Sequence, residues 1–228
     1  MRPFLRLPVL GLAAFLVTNS ALALDGPSGS FWDRPVDFSV YATQNRTTWK
    51  SDGRPYDVRV DEIGFTWSEH FENGIRAGLR LGYTGISDEG RPELAGIGQN
   101  GGHLGLVVDG TPLRTRNFAL VTGAEASYQM TSGSNDTRKV ENDWATLLGR
   151  ISGHLRLGNV RLSLGANYQL VSGTERLSGD INRTRHFNAD KGPSATAGID
   201  LLVGGGSIGI HGETGARNSY AITFSRAF

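Results

Sequence analysis

No cysteine occurs among the 228 residues, which excludes a disulfide framework, thiolate metal sites and a cysteine nucleophile. Neither sign of charge is in excess, since 23 Lys and Arg stand against 22 Asp and Glu. A nucleic-acid-binding module carries a clear basic surplus, so nucleic acid is not an expected partner. Long apolar runs are also missing: nothing beyond Ala23 approaches the roughly 20 apolar residues that a spanning helix needs. Such a chain can enter a bilayer only as a closed barrel. Glycine, by contrast, is abundant at 32 residues, about twice the usual share of roughly 7%. That composition points to many strands and turns within a length that suits one or two domains.

The N-terminus reads as an export signal. Arg2 and Arg6 form a positive start, Leu7 to Val17 is apolar, and Ala21-Leu22-Ala23 offers small residues for cleavage. The expected organisation is a signal peptide at 1–23, a periplasmic lead-in at 24–35 with Gly26, Pro27, Gly29 and Pro35, and a barrel at 36–228. Removal of the leader leaves 21 basic residues against 22 acidic ones.

Alternation with period two carries the fold. Ile75, Ala77, Leu79, Leu81 and Tyr83 fall on one face of a strand, and Arg76, Gly78, Arg80, Gly82 and Thr84 on the other. The stretches 118–128 and 160–170 repeat the pattern. Ten such segments are predicted, near 36–46, 57–70, 74–85, 102–112, 117–129, 143–157, 160–171, 194–204, 206–213 and 218–228. The weakest are 102–112, which contains Pro112, and the short 206–213. Tight turns at 72–73, 113–116, 158–159 and 205 alternate with longer polar stretches near 47–56, 86–101, 130–142 and 172–193. Short turns at one end and long loops at the other are the habit of outer-membrane barrels.

The soluble alternative is a secreted β-sandwich, whose strands average about 5–6 residues. Several strands here are longer and match the roughly 9–11 residues of a tilted spanning strand. Phe118 and Tyr128 share the apolar face ten residues apart, about 33 Å along the strand. Tilted by roughly 45°, that height of about 23 Å matches the band between aromatic girdles. The fold class is therefore all-β: a transmembrane antiparallel up-and-down barrel of ten strands, with eight or twelve as the alternatives.

The last ten residues, Ser219 to Phe228, resemble the C-terminal signature of the small Gram-negative outer-membrane barrels. Tyr220, Ile222, Phe224 and Phe228 match its alternate apolar positions and terminal Phe, whereas Arg226 departs from them. The resemblance implies location in the bacterial outer membrane and insertion by the barrel-assembly machinery, among lipid and lipopolysaccharide. It implies no activity.

Candidate chemistry is sparse. Gly96-Ile-Gly98-Gln-Asn-Gly101 matches a dinucleotide-binding pattern by letter, but without the strand before it and helix after it that the pattern needs. His70, His103, His154, His186 and His211 show no metal-ligand spacing, so neither a metal nor a cofactor is expected. Ser152 and His154 share an inward face with Glu125 on the next strand, the residue types of a hydrolase triad. Strand position sets His154 and Glu125 at opposite ends, too far apart for that chemistry. The chain also lacks the His-x-Ser-Asn motif of lipid A deacylases and the acidic and His-Asp pairs of omptin proteases.

The inward faces carry Arg76, Arg80, Arg150, Arg156 and Arg161 against Asp37, Glu62, Asp109, Glu125 and Asp200. Buried charges persist only when paired, so the expected lumen is closed by ion pairs. Arg80 is expected to meet Glu62, and Glu125 and Asp200 are the nearest candidate partners for Arg150 and Arg161. The functional expectation is a non-enzymatic barrel with a structural or surface role. Loop 172–193, with Glu175, Arg176, Asp180, Arg183, Arg185, His186 and Lys191, is the candidate for an extracellular ligand. A narrow porin-like channel and an outer-membrane hydrolase are the rivals.

Overall fold

The computed structural model describes residues 36–71, 74–88, 91–94, 96–189 and 191–228; the expected leader and lead-in lie outside them. Eleven strands follow in order: β1 (Val36–Ser51), β2 (Arg54–His70), β3 (Ile75–Asp88), β4 (Gln99–Arg114), β5 (Phe118–Ser134), β6 (Arg138–Leu157), β7 (Val160–Gly179), β8 (Arg183–Ala189), β9 (Pro193–Val203), β10 (Gly206–Gly215) and β11 (Arg217–Ala227). All neighbours pair antiparallel. β11 returns to β1 through a register running from Asp37↔Ala227 to Thr47↔Arg217, which closes the sheet. The ring contains ten strands, every one except β8.

β8 is the strand that alternation did not reveal. The lower part of β7, Val160 to Tyr168, pairs with β9, whereas its upper part, Ser172 to Leu177, pairs with β8. The other edge of β8 pairs with Trp49 to Ser51 at the top of β1. Above the ends of β9–β11 the wall is therefore closed a second time, by the eight strands β1–β8. Much of the expected loop 172–193 is thus paired strand, and it turns at residues 180–182.

The expected strands are all present, but most extend further at the long-loop end. The clearest case is β1–β2, where Ser51 pairs with Arg54 and only Asp52-Gly53 turns between them. Both turn residues have positive φ, 53° and 76°, as the two-residue turn that suits strand twist demands. Pro112 lies where the β4–β5 register shifts between Gly110 and Leu113. A bulge is where a strand tolerates a residue without an N–H.

The two halves of the wall have opposite polarity. In β2 the outward residues Ile63, Phe65 and Trp67 are exposed and apolar, and Glu62, Thr66 and Ser68 are buried inside. Further up the same strand, Asp57, Arg59 and Asp61 face outward and Tyr56, Val58 and Val60 are buried inside. β1 changes in the same way, from outward Phe38 and Val40 to outward Arg46 and Lys50, with Trp49 inside. Tyr83, Tyr128, Tyr168 and Tyr220 are exposed near the crossover, where aromatic side chains suit a membrane interface. The lower half has the apolar exterior of a membrane-spanning barrel; the upper half is a dome built like a water-soluble protein.

Leu164 is 71% exposed midway along the apolar part of β7, and Ser178 faces outward on the dome part of the same strand. Leu164→Arg should cost about 2–4 kcal/mol at the bilayer midplane, and Ser178→Arg close to nothing. Urea unfolding in lipid vesicles measures both. Equal tolerance at the two positions would mean that both halves face water.

Candidate functional site

The lumen of the membrane half is filled by three charge clusters. Nearest the short-turn end, Asp109 receives hydrogen bonds from both Arg76 and Arg150, the latter through Nε at 2.9 Å. Asp37 extends this group, with Arg76 Nη1 at 3.6 Å and His70 Nε2 at 2.6 Å. In the centre, Arg80 donates to both oxygens of Glu125 at 3.0 and 2.9 Å, to Glu62 at 3.2 Å and to Tyr41 Oη at 2.7 Å. Tyr41 also hydrogen-bonds His103, whose Nδ1 lies 2.8 Å from Thr84 Oγ1. The third cluster joins Arg161 to Asp200 at 3.1 Å, with His211 Nε2 3.2 Å from the other oxygen of Asp200.

Nine of the ten inward charges expected from the sequence are therefore buried in ion pairs: Arg76, Arg80, Arg150, Arg161, Asp37, Glu62, Asp109, Glu125 and Asp200. Arg156 is the exception and corrects the sequence reading. It stands directly opposite Arg161 at the last turn of β6–β7, where like charges repel. Its side chain is exposed and donates to the Gly158 carbonyl at 3.1 Å.

The partner of Arg150 is a second correction: it is Asp109, not Glu125. Register explains the choice, because Asp109, Gly123 and Arg150 lie side by side on β4, β5 and β6. Gly123 has no side chain between the two charges, and a Cβ there would run into Asp109 Oδ1 and Arg150 Nε. Glu125, two residues further up, is left to Arg80.

Ser152 Oγ and His154 Nε2 share a hydrogen bond of 2.7 Å, and both residues are buried. Glu125 is bound to Arg80, and His154 Nδ1 meets no hydrogen-bond partner among the described residues. The three side chains therefore do not form a triad. Among the described residues no group of three His, Cys, Asp or Glu side chains converges as a metal site. The glycine pattern at 96–101 runs into strand β4 and not into a helix, and Ile97 within it is buried.

The dome is closed by an apolar plug. Trp49 stacks on Phe187 with centroids 4.2 Å apart, and meets Trp144 at 5.4 Å and Tyr56 at 6.4 Å. Val58, Val60, Ile86 and Val171 pack into the same cluster, and Leu94, Ile97, Val140 and Leu177 form a second one. Over the top, Arg91 holds Glu175 through two bonds of 2.8 and 2.6 Å, and its guanidinium lies 4.0 Å above the Tyr56 ring. Arg185 binds Glu93 at 3.1 Å. The backbone of Glu93 and then Arg185 hold this carboxyl below its usual range. Arg176 and Arg183 are paired with Asp143 and Asp52. Four of the charged residues read as loop contacts, Glu175, Arg176, Arg183 and Arg185, thus already fasten the dome together.

The C-terminal positions Tyr220, Phe224 and Phe228 face outward and are exposed, and Ile222 lies between them on the same face. Arg226, the departure from the apolar pattern, places its guanidinium 5.4 Å from the Phe228 ring. A hollow of about 720 Å3 lies on the outer wall among Leu79, Leu104, Leu106, Leu147 and Leu170, with Lys191 in its lining.

The sequence matches no protein-family model and no curated protein. Solved structures match in fold. The translocator domain of the autotransporter NalP from Neisseria meningitidis is 10% identical with a TM-score of 0.51, covering 89% of each chain. The outer-membrane protease OmpT from Escherichia coli is 11% identical at 0.49, covering 86% of this chain and 96% of its own. An outer-membrane channel from Pseudomonas putida F1 is 9% identical at 0.47, with 86% and 96% covered. The chain has the fold of the bacterial outer-membrane β-barrels.

Asp109→Asn should take the shared carboxylate from two buried guanidinium groups, leaving Arg76 with Asp37, and cost about 3–5 kcal/mol. Gly123→Ala, which changes no charge, should still cost about 1–3 kcal/mol by overpacking the space those groups cross. The temperature at which the folded gel band is lost reads both. Wild-type stability in Gly123→Ala would show that the Asp109–Arg150 contact does not cross that strand.

Proposed function

We propose that this protein is a closed, non-enzymatic barrel of the bacterial outer membrane that carries a rigid dome for interactions at the cell surface. One observation supports this above the rest: the interior is occupied along its length, by paired charge within the membrane and by aromatic packing above it. A diffusion channel needs a continuous water-lined path, and buried paired charges with an apolar plug do not provide one.

In this reading the outward face of the dome meets the outside of the cell. The hairpin of β7 and β8, turning at 180–182, is the contact element for an extracellular ligand. Lipopolysaccharide surrounds the wall near the exposed tyrosines, and the outward apolar residues of β11 are the strand presented to the barrel-assembly machinery. Because most charges on the β7–β8 hairpin are paired within the dome, the surface would offer a fixed pattern of groups and not a mobile charged loop.

Two measurements test the proposal. The purified protein in a planar bilayer should show no sustained unitary conductance, and Trp144→Ala, which removes a plug side chain, should raise the frequency of brief openings. A steady conductance in the unaltered protein would establish the narrow-channel alternative. On intact cells, an epitope inserted after Asp180 should be labelled, while one after Asn159 should remain silent until the outer membrane is opened. Reversed labelling would place the dome in the periplasm and remove the surface role.

A further inference from the structure

The central charge cluster does not balance. The cluster at the short-turn end sets Arg76 and Arg150 against Asp37 and Asp109, and the third sets Arg161 against Asp200. In the centre, Arg80 alone faces both Glu62 and Glu125. With Arg156 outside them, the three clusters hold five carboxylates, Asp37, Glu62, Asp109, Glu125 and Asp200, against four arginines, and the excess falls on the central one. Burying an uncompensated charge is unfavourable enough that a counter-charge or a proton must accompany it.

A small cavity lies against this cluster. Its volume is about 50 Å3, and its walls include Glu62, Arg80 and Glu125 below and Trp49 and Trp144 of the plug. Arg217 also reaches the wall, but Glu213 holds it through bonds of 3.1 and 2.5 Å, so that pair adds no net charge. Three carboxamide oxygens of the lining, Asn45 Oδ1, Gln129 Oε1 and Gln169 Oε1, are buried without a hydrogen-bond partner. Asn45 is only 7% exposed and Gln129 only 5%. Gln129 Nε2 donates to Ser127 Oγ at 3.0 Å. Buried acceptors are nearly always satisfied, and an oxygen-rich lining beside surplus negative charge suits a hard cation.

We propose that this cavity is a binding site for one small monovalent cation of the sodium class. The carboxamide oxygens of Asn45, Gln129 and Gln169 would coordinate it directly or through water, and it would balance the second carboxylate of the Glu62–Arg80–Glu125 group. One surplus charge selects a monovalent ion, and the volume admits an ion with very few waters. The rival counter-charge is a proton, carried by Glu62, Glu125 or one of the lumen histidines His70, His103 and His211; Tyr41 is the other titratable group facing Arg80.

The test uses the full chain folded in detergent micelles. Melting of the folded gel band is followed in sodium chloride and in choline chloride at equal concentration, so that ionic strength is constant and only cation size differs. The site predicts a melting temperature several degrees higher in sodium, together with broadening of the sodium-23 resonance that excess choline does not relieve. Glu62→Gln and Glu125→Gln each remove the surplus charge and should abolish the difference between salts. Asn45→Leu keeps the charge, removes a ligand, and should shift the sodium dependence to higher concentration. Should one carboxylate variant fail to fold, the other and Asn45→Leu still decide the matter. Equal melting in both salts overturns the proposal, as does a salt difference that survives in Glu62→Gln. Uptake of one proton on folding, with no sodium effect, assigns the counter-charge to a proton and also overturns it.

Discussion

Backbone hydrogen bonding in hydrocarbon is the constraint on which the rest of the structure depends. A bilayer core offers no water to an unpaired N–H or C=O, so a sheet that spans it cannot keep an edge. The pairing of β11 with β1 removes that edge. Closure then divides every strand between two solvents, lipid outside and an enclosed lumen within. Leu79, Leu106 and Leu164 answer to the first, while Arg80, Asp109 and Arg150 answer to the second by pairing with one another. The unusual glycine content has part of its cause here, since at Gly123 the absent side chain is the space through which a charge pair meets.

Above the membrane the same backbone serves the opposite solvent order. Once the exterior is water, the hydrophobic effect drives Trp49, Trp144 and Phe187 inward as in any globular core. Outward positions become Asp57, Arg59, Lys50 and Arg176. Among the described residues no α-helix or separate domain builds the dome, and the one short 3-10 turn, Pro92–Leu94, only lends Leu94 to its second cluster. A change of sign in the alternation is enough, provided the sheet continues and the ring stays closed through β8.

That change of sign also explains how far the sequence could be read. Following the apolar face from Phe71 up β2 leads as far as Ile63, where the outward residues become charged. The expected segment 57–70 runs past that change yet falls short of Arg54, and in β1 the expected segment 36–46 ends at the outward charge Arg46 although the strand continues to Ser51. The Asp52-Gly53 turn was a readable hairpin signal, hidden inside what passed for a polar loop. The inward charges were legible one by one because parity assigns a side, and strand order gave Arg80 its Glu62 and Arg161 its Asp200, but not the partner of Arg150. Arg150 meets Asp109 through a glycine gap that depends on the register of three strands, and Arg156 has inward parity yet sits at the mouth beside Arg161. β8 was out of reach because it is short and the strand that seals its far edge, β1, is distant in the chain.

The position of β8 orders events in time. Its neighbours are β7, directly before it, and the last turn of β1, more than a hundred residues earlier in the sequence. Its three-residue seam with β1 begins at Trp49, two residues beyond Thr47, where the β1–β11 seam ends. Loop closure over so many residues is slow unless other contacts have already brought the ends together, and here the β1–β11 seam does so. Dome completion is therefore expected to follow barrel closure, with the stacking of Phe187 on Trp49 as its marker.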